Sequence, residues 1–120
     1  MPHRSHRSLP SRDTIAATLR AAGCVFAEDE ADMILAAADS DPAAVDGMVA
    51  RRAAGLPLEL VVGWAEFGGL RILVEPGVFV PRRRTEFLVE QALALAPDAS
   101  VVVDLCCGSG AVGAALTAAL

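Results

Sequence analysis

Three glycines, Gly108, Gly110 and Gly113, are spaced as G-x-G-x-x-G in the stretch Val101-Val102-Val103-Asp104-Leu105-Cys106-Cys107-Gly108-Ser109-Gly110-Ala111-Val112-Gly113. Glycines so spaced let a backbone turn tightly from strand into helix and bring a ligand close to the helix N-terminus. The same pattern also serves a tight strand-to-helix turn that holds nothing. If a ligand is held, two chemistries compete. A dinucleotide would rest its pyrophosphate on the loop and would need an acidic residue about 20 positions onward for its ribose, beyond Leu120. S-adenosylmethionine has no phosphate; it carries an adenosine, a sulfonium and an ammonium, which a carboxylate at the strand end complements. Asp104 stands at that place, so the methyl donor is the favoured ligand.

The elements that must position this loop are readable from spacing. Ser11 caps a first helix with Ile15, Leu19 and Ala22 on one face, stopped by Gly23. A second helix fits Glu28 to Ala38, with acids in its first turn and Met33, Ala36 and Ala37 on its buried side. Asp41-Pro42 opens a third helix with Val45, Met48 and Val49 as its stripe and Gly55 as its stop. Leu56-Pro57 begins a short helical turn that ends at Gly63. Trp64 to Phe67 and Leu70 to Val74 then flank Gly68-Gly69, the turn chemistry of a β-hairpin. Val78-Phe79-Val80 is expected to be extended up to Pro81. Thr85 is placed to cap a helix to about Ala96, with Leu88, Ala92 and Leu95 on one face. The apolar run from Ser100 to Leu105 is expected to be a strand buried on both sides, and Ala111 to Leu120 a helix.

Composition bounds the function. Of 120 residues, 54% are hydrophobic and 21% charged, enough for a core and unlike a disordered chain. A net charge of −5 argues against a general nucleic-acid or anionic-membrane surface. Arg4, Arg7 and Arg12, set among His3 and His6, read as a solvated flexible tail, and that stretch lacks the apolar segment of a signal peptide. All basic residues are arginine, which reads as coding bias rather than chemistry. No apolar run approaches the roughly 20 residues of a membrane-spanning helix. Cys24, Cys106 and Cys107 make neither a disulfide framework nor a CxxC metal site, so no metal is expected and the protein is expected to be soluble and cytoplasmic.

Upstream of the loop, Gly55-Leu56-Pro57-Leu58-Glu59-Leu60-Val61-Val62-Gly63, Phe67-Gly68-Gly69-Leu70 and Gly77-Val78-Phe79-Val80-Pro81-Arg82-Arg83-Arg84-Thr85-Glu86 occur in that order. From about Ala54 to Leu120 the chain resembles the protein-(glutamine-N5) methyltransferases, HemK/PrmC-like. The resemblance implies a mainly α N-terminal helical domain, a β-hairpin linker, and then the first strand and helix of a Rossmann-like α/β methyltransferase domain. Together with the elements read from spacing, it gives expected boundaries of 1–12 for the tail, 13–63 for the helical domain, 64–80 for the linker and 81–120 for the start of the S-adenosylmethionine-binding domain. It implies a peptide-chain release factor as partner and methylation of the glutamine of its Gly-Gly-Gln motif. Phe79, Asp104, Cys106, Gly108 and Gly110 would line the cofactor site, and Pro81, Arg82, Thr85 and Glu86 match the framework of the family's Pro-Arg motif.

Two departures stand out. Arg83 and Arg84 replace a proline and an acid of that motif, and Cys106 occupies the place of the loop's first glycine, which a side chain tolerates only at negative φ. The Asn-Pro-Pro-Tyr segment that the resemblance makes responsible for methyl transfer does not occur in these residues. No catalytic residue is therefore assigned, and the chain by itself is expected to be inactive. A non-catalytic helical binding module and a fragment of a nucleic-acid adenine methyltransferase are the alternatives.

Overall fold

The computed structural model describes residues 7–120; His3, Arg4 and His6 of the expected tail lie outside the described residues. The chain forms two compact units that divide between Val62 and Gly63.

In the first unit, α1 (Arg12–Ala21) starts where Ser11 Oγ accepts from the Thr14 amide at 3.1 Å, so the expected cap is formed. It buries Ile15, Ala16 and Leu19, whereas Ala22, expected on that face, is the exposed C-cap. The buried face of α2 (Ala27–Ala37) also differs from expectation: Ala27, Glu30, Ala31 and Ile34 point inward, Met33 is half-buried, and Ala36 and Ala37 are exposed. Alanine on several sides leaves this helix without a strong stripe. Ile34, its one completely buried branched residue, lies on the inward face together with the residues three, four and seven positions before it. One of those is Glu30, whose charge must be met inside. Arg52 does this, donating through Nε to Glu30 and through a terminal nitrogen to the Leu56 carbonyl at 3.2 Å. The hydrogen bond to Glu30 raises the Arg52 pKa still further above its ordinary value.

Helix α3 (Pro42–Ala53) begins as its sequence indicates, with Asp41 Oδ1 accepting from the Ala43 amide at 3.1 Å and Pro42 in the first turn. Val45 is fully buried, and Met48 and Val49 pack against the same core. The short α4 (Leu58–Val62) adds Leu58 and Val62 to it. On the surface Arg20 pairs with Glu28, and this hydrogen bond, helped by the carboxyl's own backbone amide, holds the Glu28 pKa below the ordinary glutamate range.

The second unit opens with a hairpin, β1 (Trp64–Phe67) and β2 (Leu70–Leu73), antiparallel with Phe67 opposite Leu70 and Trp64 opposite Leu73. Gly68 and Gly69 have φ of +57° and +76°, the two left-handed positions of a type I′ turn. Residues 79–82 carry no regular structure, and Arg83–Thr85 form a 3-10 turn before α5 (Glu86–Leu95). Thr85 makes no side-chain cap, and Leu88 and Leu95 are exposed rather than inward. The reason is Glu86. Its carboxylate accepts from the Gly68 amide at 2.8 Å, which turns the face carrying Glu86, Val89 and Leu93 toward the hairpin. Helix α6 (Ala111–Ala119) completes this core, with Ala111, Ala115 and Leu116 joining Phe67, Ile72 and Val89.

The strand expected from Ser100 to Leu105 does not form. These residues are without regular structure, and Val101 and Leu105 are 79% and 82% exposed. A strand buried on both faces requires hydrogen-bonded neighbours, and the sheet among the described residues has only β1 and β2. The α/β part of the expected fold is thus present as loop and helix. What the structure shows is a helical protein with a small two-stranded antiparallel sheet.

Phe67 is completely buried and touches elements on both sides of the hairpin turn. Phe67→Ala is expected to destabilise the second unit by about 3–5 kcal/mol, read in urea by the fluorescence of Trp64, the single tryptophan. Because the Glu28 pKa is depressed on folding, the stabilisation from Arg20 is present at neutral pH and lost as pH falls through the folded value. Glu28→Gln should therefore weaken the first unit at neutral pH and low salt, and the difference from the parent chain should vanish in acid.

Candidate functional site

The loop between Asp104 and α6 turns left-handed at every second residue: φ is +56° at Cys106, +56° at Gly108 and +81° at Gly110. Glycine meets two of these three positions without a side-chain penalty. A Cβ built on Gly108 or Gly110 would meet nothing within 4 Å, so conformation rather than space calls for glycine there. At the third position the tolerance set out for a side chain is not met, because Cys106 is left-handed and bears about 1–2 kcal/mol of local strain.

Gly110 is the N-cap of α6 and has no side chain to offer the first amides of the helix. Asp104 substitutes for it. Its Oδ2 accepts from the Gly113 amide at 3.1 Å, and the Gly110 amide donates to the Cys107 carbonyl at 2.8 Å to close the turn. The half-buried carboxylate is thereby held at the positive end of the helix dipole, with Oδ1 accepting no hydrogen bond among the described residues. Gly113, read from sequence only as the last glycine of the pattern, supplies its backbone amide to Asp104. A Cβ there would lie 3.4 Å from Asp104 Oδ2.

Asp104, Cys106, Gly108 and Gly110 are therefore brought together in one solvent-facing turn. Phe79 stands outside the apolar cluster of its unit, 68% exposed, with the Arg82 guanidinium 5.4 Å from its ring centroid. Glu86, matched only as motif framework, fastens the hairpin turn to α5, and Arg83 pairs with Glu66 across 3.1 Å. Nothing in the spacing marks these long-range partners. Among the described residues no three His, Cys, Asp or Glu side chains group as metal ligands, and no helix is long and apolar enough to cross a membrane.

No family model matches the chain. Among curated proteins it is similar to the release factor glutamine methyltransferase of Mycolicibacterium smegmatis, 42% identical over 116 residues that cover 83% of the chain and 41% of the relative. The protein of that name from Geobacter sulfurreducens is 49% identical over 74 residues, 62% of the chain and 26% of the relative. That from Bifidobacterium longum is 38% identical over 119 residues, 79% of the chain and 40% of the relative. The chain thus spans about two-fifths or less of the length of these relatives. With such identities over most of its own residues, the chain belongs to the protein-(glutamine-N5) methyltransferase family, HemK/PrmC-like, of whose members it covers a part.

Proposed function

We propose that the loop from Asp104 to Gly110 is the S-adenosylmethionine-binding turn of a release factor glutamine methyltransferase, and that residues 81–120 open its donor-binding domain. The observation that carries this reading is the Asp104 carboxylate. One oxygen is fixed by the Gly113 amide, and the other is open beside a backbone without side chains at 108 and 110. A fixed acceptor next to an accessible turn suits a ligand rich in hydroxyl and ammonium donors. The bound donor would supply a methyl group on a sulfonium; the residues of this chain would bind and orient it. Phe79 would offer an apolar face, as its match to the motif implies, once Arg82 leaves the ring.

The names of the relatives favour a release factor as the methylated partner. Amide nitrogen is a poor nucleophile, and its methylation needs acceptors aligned on the reacting group. No residue of this chain is assigned that role, so methyl transfer by these residues alone is not expected. A second reading, a helical docking module, draws on the closed apolar core that the first unit builds from its own residues.

Calorimetry of the full chain with S-adenosylmethionine should show saturable binding, and Asp104→Asn should weaken it at least tenfold. Asparagine keeps an acceptor for the Gly113 amide but loses the charge, so the helix start survives while the ligand contact weakens. Equal binding by the variant, or none by the parent chain, would remove the basis for the donor-loop assignment. Cys106→Gly should raise the thermal midpoint and bind the donor no more weakly, because it relieves a left-handed side chain; a lower midpoint would contradict the strain argument.

A further inference from the structure

The three thiols of this chain are free and differ sharply in setting. Cys24 is buried in the core of the first unit, while Cys106 and Cys107 are adjacent and exposed. Neither exposed sulfur packs into the core of the second unit, and among the described residues the sole side-chain hydrogen bond of the pair is a weak one from Cys107 Sγ to the Gly108 carbonyl, 3.7 Å away. Cys106 also holds a left-handed backbone in which a Cβ is unfavourable. Packing, hydrogen bonding and backbone preference therefore give no reason for the pair, and what distinguishes it is two accessible sulfur nucleophiles one residue apart.

We infer that Cys106 and Cys107 form a two-sulfur site for a thiophilic electrophile, with trivalent arsenic as its chemical class. Direct closure to a disulfide is disfavoured. Neighbouring Cα atoms across a trans peptide are about 3.8 Å apart, short of the roughly 4.4 Å at which unstrained disulfides begin. An atom larger than sulfur placed between the two thiolates lengthens the bridge and removes that conflict. Soft thiolates are the ligands such centres prefer.

The step balances without an oxidant. An organoarsenic(III) oxide gives up its As–O bonds, two As–S bonds form, two S–H bonds break, and both protons leave with the oxygen as one water. Arsenic stays trivalent. The first As–S bond makes the second intramolecular, so the chelate forms at stoichiometric reagent and resists displacement by thiols that bring one sulfur at a time. The site needs only the two thiols and does not depend on what the loop otherwise binds.

The test is intact-mass spectrometry of the reduced full chain after one equivalent of phenylarsine oxide. One adduct per chain is expected, heavier than the protein by the reagent less one water, stable to excess 2-mercaptoethanol and stripped by 2,3-dimercaptopropanol. Cys24→Ala should retain the monothiol-resistant adduct, and Cys107→Ala and Cys106→Gly should each lose it. The glycine variant relieves backbone strain, so its loss of capture cannot be assigned to misfolding. A wild-type adduct removed by 2-mercaptoethanol, absence of an adduct, or resistance that persists in Cys107→Ala or Cys106→Gly would overturn the assignment.

Discussion

A helix that starts at glycine has no side chain of its own to meet its first amides, and in the second unit this debt is met from six residues upstream. Asp104 accepts from Gly113, and that one hydrogen bond fixes both ends of the loop between them. Between those ends the backbone is left-handed at 106, 108 and 110. Beyond the loop, α6 presents Ala111, Ala115 and Leu116 to the hairpin. Gly68 then answers to two demands at once: its φ is +57°, and a Cβ there would lie 3.2 Å from that of Ala115. The hairpin turn and the loop are thus coupled through one helix, although no contact pattern in the sequence joins them.

What was legible in the sequence was mostly local. Ser11 and Asp41 cap helices within three residues of themselves, and Gly68-Gly69 sets a hairpin whose register its own turn geometry dictates. The rotations of α2 and α5 were not legible, for a shared physical reason. Each inward face carries a carboxylate that is tolerated there because it finds a partner far along the chain: Glu30 with Arg52, 22 residues away, and Glu86 with the Gly68 amide, 18 residues away. Helical periodicity carries no information about such partners. In α2 the alanines also blur the stripe, so a single isoleucine outweighs Met33, Ala36 and Ala37. The glycine spacing marked the turn into α6, but the hydrogen bond from the Gly113 amide to Asp104 appeared only in the structure.

The arginines illustrate how far composition can mislead about individual side chains. Their abundance without lysine reads as coding bias, yet several have particular partners. Arg52 satisfies the buried Glu30, Arg71 lies 4.1 Å from the centroid of the Trp64 ring, and Arg82 covers Phe79. These differ in weight. Exposed pairs such as Arg83 with Glu66 contribute little in water. Breaking the Arg52–Glu30 pair would instead strand a charge inside the first unit, a change of several kcal/mol by general experience with buried pairs. Arginine suits that position because its planar fork reaches the carboxylate and the Leu56 carbonyl together, which lysine's point charge cannot reproduce.

The valine run shows the opposite case, a strong local signal that the surrounding chain does not use. Val101, Val102 and Val103 have the β-branched, wholly apolar character of a strand covered on both faces, yet they are exposed and unpaired within the described residues. Strand propensity describes fit to a sheet surface and forms nothing without neighbours to bond. The loop after the run behaves differently because its geometry is self-contained: Asp104 accepts from the Gly113 amide and the Cys107 carbonyl from the Gly110 amide, all within ten residues. A glycine turn can therefore keep its shape while the strand that should lead into it does not form. The turn owes its shape to Asp104 and the glycines and nothing to the valines.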